Sequence, residues 1–197
     1  MTGPKYLRRE QGQPQAGIDE SLREVEGILP PEVQAADAQA VTNAVLRKLD
    51  IIRDRGKKTR MIRALGHLDA AWIPSVFLEL LGDPVEEVRD MAVRELARRG
   101  EWPSSAVYER LNRPPWYAKS AALRLLAERK EKEAIPHIRR LIDDPNVDVK
   151  RSAALALGAI GGQEARALLV LLARDKSSYV RTAAEQMLDR LCDFKFS

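Results

Sequence analysis

Residues 144–161 run Asp144-Pro145-Asn146-Val147-Asp148-Val149-Lys150-Arg151-Ser152-Ala153-Ala154-Leu155-Ala156-Leu157-Gly158-Ala159-Ile160-Gly161. With Val149 as position zero, Ala153, Ala154 and Leu157 stand at positions four, five and eight. At ~100° per residue these share one arc of a helix, the stripe an amphipathic helix buries. Asp144-Pro145 makes a turn ahead of it: proline stops the preceding helix and the aspartate accepts backbone N–H groups. The phrase returns as Val88-Arg89, Ala92-Val93, Leu96 behind Asp83-Pro84, and as Val180-Arg181, Ala184, Leu188 behind Asp175-Lys176. Weaker copies start at Tyr117 (Ala121-Ala122, Leu125) and at Lys57 (Met61-Ile62, Leu65). The starts at 57, 88, 117, 149 and 180 lie 31, 29, 32 and 31 residues apart, a drift small enough to define a repeat.

Each copy reads as the second helix of a hairpin. The first helix is clearest in Ala71-Trp72-Ile73-Pro74-Ser75-Val76-Phe77-Leu78-Glu79-Leu80-Leu81 and in Ala134-Ile135-Pro136-His137-Ile138-Arg139-Arg140-Leu141-Ile142. Pro74 and Pro136 sit in its first turn, where a missing N–H is harmless. One hairpin cannot bury its stripe alone, so neighbours stack and share a core. The expected fold is an all-α, right-handed α-solenoid of about five helical hairpins over residues 57–191. N-terminal capping helices are expected over 18–56: a short one from Ile18 to Leu29, and a long one over 31–55 carrying Val41, Val45, Leu49 and Ile52. Residues 1–17 hold Gly, Pro and Gln without periodicity and are expected to be disordered. Residues 192–197 are expected to form a tail that covers the last repeat or docks in a partner.

Asp-Pro-x-x-x-Val-Arg-x-x-Ala-x-x-x-Leu, closing on Leu157-Gly158-Ala159-Ile160-Gly161, resembles bacterial HEAT repeats, in particular the short subclass first named from phycobilisome lyases. The resemblance spans about residues 57–191 and is strongest at Val88, Val149 and Val180. It implies a scaffold, adaptor or enzyme regulator, with lyase subunits and DNA-repair proteins as further relatives. Any lyase-type or DNA-glycosylase-type activity rests on that analogy alone.

Composition agrees with packed helices: 45% hydrophobic but only 5% aromatic residues, with 31% charged. No stretch approaches the ~20 apolar residues that span a bilayer, and the N-terminus has no apolar segment after its basic residues. A soluble, cytoplasmic protein is expected. The one cysteine, Cys192, and two histidines, His67 and His137, assemble neither a disulfide nor a metal cluster from sequence neighbours. Cys192 is expected to be buried or half-buried. No paired acids, nucleophile with base or phosphate-cradling glycine loop is visible; Gly158, Gly161 and Gly162 read as a helix end and the turn after it. The expectation is therefore a protein without cofactor, metal or catalytic residues, and with another protein as its partner. At net charge +4, nucleic acid stands as the alternative.

Lys58, Arg89, Lys150 and Arg181 follow position zero, with Ala118 breaking the series. They read either as an anion-binding ladder or, preferably, as partners of the turn aspartates Asp83, Asp144 and Asp175. Positions six and ten lie opposite the core stripe: Arg63 and His67, Arg94 and Arg98, Leu123 and Ala127, Leu155 and Ala159, Gln186 and Arg190. This basic strip running into an apolar one is expected to line the concave groove and bind a partner; the other reading makes Leu123 and Leu155 inter-repeat contacts. The repeat around Arg113-Pro114-Pro115 lacks Asp-Pro and carries Trp102, Tyr108, Trp116 and Tyr117. Tyr117 takes the place of the core valine. Trp116 aligns with Glu87, Asp148 and Tyr179, so Trp116 and Tyr179 are expected to be exposed anchors on the ridge, or surface aromatics packed on a neighbour. The run Arg53, Arg55, Lys57, Lys58, Arg60 and Arg63 suits phosphates but has no interleaved aromatics, and reads preferably as a solvated helix-to-helix turn.

Overall fold

The computed structural model describes residues 38–100 and 104–193. The expected disordered tail, the short capping helix, residues 31–37 of the long one, Trp102 and residues 194–197 lie outside the described residues. The chain divides into two compact units, Met1–Leu80 and Leu81–Ser197. Ten α-helices and no β-strand are found among the described residues.

The first unit holds α1 (Ala38–Ile51), α2 (Arg55–Gly66) and α3 (Ile73–Leu80). Val41, Val45 and Leu49 recur at helical spacing and are buried, and α1 packs on α3. Asp54 caps α2 by accepting the Lys57 N–H at 2.6 Å. Met61, Ile62 and Leu65 form the buried stripe of α2, as their spacing predicts.

The second unit runs α4 (Glu86–Arg98), α5 (Ser104–Arg110), α6 (Trp116–Glu128), α7 (Ile135–Ile138, between short 3-10 turns), α8 (Val147–Ile160), α9 (Gln163–Leu172) and α10 (Ser178–Asp193). The second helices lie side by side in chain order, α4 on α6, α6 on α8, α8 on α10, while α9 packs against both α8 and α10. This layered stack of hairpins is an α-solenoid. Pro136 sits in the first turn of α7 as expected. At the far end of α6, Arg129 donates to the carbonyls of Ala97, Arg99 and Gly100, closing the last turn of α4.

Side-chain burial corrects the register of one repeat. Val88, Val149 and Val180 are buried, and so is Ala118, whereas Tyr117 is half-buried. The position-zero residues are therefore Val88, Ala118, Val149 and Val180, spaced 30, 31 and 31 apart. A methyl group fills the site of a valine in α6, and the ring beside it points elsewhere. One step of register turns the helix by ~100°, enough to exchange core for surface. Position five thus becomes Val93, Leu123 and Ala154, all buried, and Glu185, exposed on the last helix; Leu123 is 0% exposed.

Of the three glycines expected at a helix end and the turn after it, Gly158 departs from that reading. Gly158 lies inside α8, where a Cβ would come within 2.5 Å of the Met187 side chain, so its missing side chain lets α8 and α10 approach. Gly161 and Gly162, at φ 72° and 94°, make the turn into α9.

Candidate binding face on the second helices

The cations after position zero are tied to the turns. Asp144 and Asp175 each use one carboxylate oxygen to accept the N–H two residues on, from Asn146 at 2.9 Å and Ser177 at 2.8 Å. The other oxygen takes the lysine of the preceding second helix: Lys119 on Asp144 at 2.7 Å and Lys150 on Asp175 at 2.5 Å. Burial alone would raise the Asp175 pKa, but the bonds from Lys150 and Ser177 and the Arg181 charge together hold it below the ordinary carboxylate value. The arginines at this position turn back on their own turn instead. Arg89 donates to the carbonyls of Asp83 and Pro84, and Arg181 to those of Asp175 and Lys176. The corrected register supplies Lys119 where the sequence appeared broken at Ala118, and the ladder is structural.

The predicted site residues divide. Trp116 and Tyr179 are exposed, at 44% and 52%. Leu155 is half-buried, and its upper surface lines a depression. Leu123 is enclosed between repeats, so it cannot touch a partner; it belongs to the core because Ala118, not Tyr117, occupies position zero. Arg124 takes over position six in α6 and pairs with Asp90 of α4 at 2.6 Å. Arg94 and Arg98 are exposed, and Arg98 pairs with Glu95 at 2.5 Å. Arg63 is exposed on α2, in the first unit. Gln186 and Arg190 are exposed on α10.

Two shallow depressions, each of about 340 Å³, follow one another along the N-terminal halves of the second helices. The first lies among Glu86 and Arg89 of α4, Trp116, Tyr117 and Arg124 of α6, and Asp148 and Arg151 of α8. The second lies among Arg151 and Leu155 of α8 and Ser178, Tyr179, Ala183 and Gln186 of α10. Trp116 meets Tyr117 edge to face, with ring centroids 5.8 Å apart. The guanidinium of Arg89 lies 4.8 Å over the Tyr117 ring, and that of Arg151 lies 4.8 Å over the Tyr179 ring. Such stacking holds a flexible side chain in one place. Arg151 was not singled out from sequence, and Tyr117 was read there as a core residue, not as part of this face. The usable signal was Tyr117 and Tyr179 one residue before the buried Ala118 and Val180, a match visible only once Ala118 is taken as position zero.

The remaining chemistry-bearing groups are placed structurally. Tyr108 donates to Glu131 at 3.2 Å and stacks on His137 with centroids 4.2 Å apart. Burial and the charges of Glu131 and Glu133 push its pKa up to about 12. Cys192 is exposed, not buried, because α10 runs on to Asp193 and turns it outward, where Arg166 approaches its Sγ at 3.8 Å. No group of three or more potential metal ligands is found among the described residues, and no helix there is long and apolar enough to cross a membrane.

Residues 104–189 match the family of HEAT repeats. The matched segment runs from α5 into α10 and includes residues of α6, α8 and α10 that line the depressions, so the resemblance read from the sequence holds there. Comparison with curated proteins gives no match. Among solved structures, the chain is similar to the complex of CpcE and CpcF of phycocyanin lyase from Nostoc sp. PCC7120, at 22% identity over 98% of this chain and 71% of that one, with a TM-score of 0.49. It is also similar to a designed armadillo repeat protein in complex with the peptide (KR)4, at 17% identity over 88% and 92%, with a TM-score of 0.45.

Proposed function

We propose that the chain is a non-catalytic protein-interaction module that binds an extended segment of another protein along the face of α4, α6, α8 and α10. HEAT repeats typically serve this role, and the observation that supports it here is the pair of large exposed aromatics, Trp116 and Tyr179, each beside a depression between adjacent second helices. Rings held by a neighbour and open on one side lose little entropy on binding, which is why they anchor interfaces. The basic strip supports nucleic acid less well, since Arg98 and Arg124 are already ion-paired.

The test is affinity capture from cell extract with the intact chain and with a Trp116→Ala, Tyr179→Ala double variant, with and without nuclease. A nuclease-resistant protein held by the intact chain and lost by the variant supports the reading. Equal capture by both, or capture that nuclease abolishes, overturns it.

A further inference from the structure

Arg151 borders both depressions. Its guanidinium is stacked on Tyr179, and among the described residues no carboxylate pairs with it and no hydrogen bond uses its N–H groups. Every other arginine that lines these depressions is engaged: Arg89 by two carbonyls, Arg124 by Asp90. In the second depression Arg151 is also the one charged side chain among the described lining residues, the rest being Leu155, Tyr179, Ala183 and small or amide polar groups. A half-buried cation with its fork of donors open, beside an apolar floor, is complementary to a carboxylate carried next to an apolar side chain.

We propose that Arg151 forms an acid-reading subsite that selects a partner segment carrying an Asp or Glu, with an apolar residue two positions away seated against Leu155. This rests on the reading of the face as protein-binding. The spacing follows from geometry. Arg151 and Leu155 are four residues apart, ~6.0 Å along the axis, close to the ~6.7 Å between residues i and i+2 of an extended chain, whose side chains point the same way where the segment runs along α8. Tyr179 is the positioning residue: its ring lies 4.8 Å from the guanidinium carbon and holds the side chain in place, leaving N–H groups free to meet a carboxylate.

The experiment is selection of phage-displayed random nonapeptides on the full chain and on its Arg151→Gln and Trp116→Ala variants, each first checked for helix content. The intact chain is expected to enrich Asp or Glu two residues from an aliphatic residue. Arg151→Gln should lose the acid preference while still selecting peptides, and the best synthetic peptide should bind it about tenfold more weakly, the loss expected for one charge-assisted pair. Replacing that peptide's acid by its amide should cost the same on the intact chain and nothing further on the variant. Peptides that need Trp116 but show no acid, or whose acid preference survives Arg151→Gln, overturn the subsite and leave the face. If no peptide is enriched on the intact chain, or Trp116→Ala selects the same ones, both readings fall.

Discussion

The repeat built on α6 and the one built on α8 perform one task with different chemistry. Ahead of α8, Asp144 opens the turn and receives Lys119 from α6; ahead of α10, Asp175 does the same for Lys150. Ahead of α6 there is no aspartate, only Arg113-Pro114-Pro115. The cation of the preceding helix, Arg89, there bonds backbone carbonyls and lies over Tyr117. At the turn, an ion pair joins the regular repeats where a cation held on an aromatic face joins the atypical one; farther along, the Arg124–Asp90 pair also ties α6 to α4, and Arg151 also lies over Tyr179 between α8 and α10. The substitution also changes the surface, since it places Trp116 and Tyr117 on the face that the regular repeat gives to Val147 and Asp148.

The largest expected effect breaks the equivalence that simple periodic counting assigns to Leu123 and Leu155. Leu123→Asp buries an unpaired charge between repeats and should cost about 3 to 5 kcal/mol, unfolding the second unit. Leu155→Asp should change stability by only about 1 kcal/mol or less while abolishing binding, because its carboxylate reaches water. Thermal melts by circular dichroism separate the two; equal destabilisation would restore the simple count.

A middle-sized effect sharpens the contrast at the opposite ends of the helices, where α6 has Ala127 and α8 has Gly158. Alanine at 158 favours the helix by about 1 kcal/mol, yet its Cβ would overlap Met187. Gly158→Ala should therefore lower the melting temperature, with a net loss of about 1 to 2 kcal/mol. Combining it with Met187→Ala should remove the clash, so that a double-mutant cycle shows strong coupling.

The smallest effects separate the two kinds of joint. Asp175→Asn should cost about 1 kcal/mol at neutral pH and low salt, and less at high salt. Because the folded Asp175 pKa is depressed, its contribution is present above the ordinary carboxylate value and is lost as pH falls through the lowered one. The acid side of the stability curve should accordingly be shallower in Asp175→Asn. Arg89→Ala should cost about 0.5 to 1 kcal/mol with little salt dependence, being a loss of stacking and carbonyl bonds. A steep salt dependence for Arg89→Ala would erase the distinction.

Helix type, hairpin order, turn positions and most of the core were legible in the sequence. Burial of an apolar stripe imposes a 3.6-residue period, and Asp-Pro and Gly punctuate it by local backbone chemistry. Leu155 was read as a surface residue by subtracting the stripe from the helix, and Trp116 by aligning it with Tyr179; with Ala118 as position zero it is Tyr117 that aligns with Tyr179, and Trp116 stands one residue earlier. What periodicity could not decide was the register of α6, where Tyr117-Ala118 offers a large ring and a small methyl for one core position. The choice belongs to the neighbouring helices, which leave room for the methyl and stack Arg89 on the ring. From that single step follow the burial of Leu123, the pairing of Lys119 and the exposure of Arg124. The open guanidinium of Arg151 is likewise a tertiary fact: sequence shows which cations exist, but only the positions of residues a repeat away determine which are already paired.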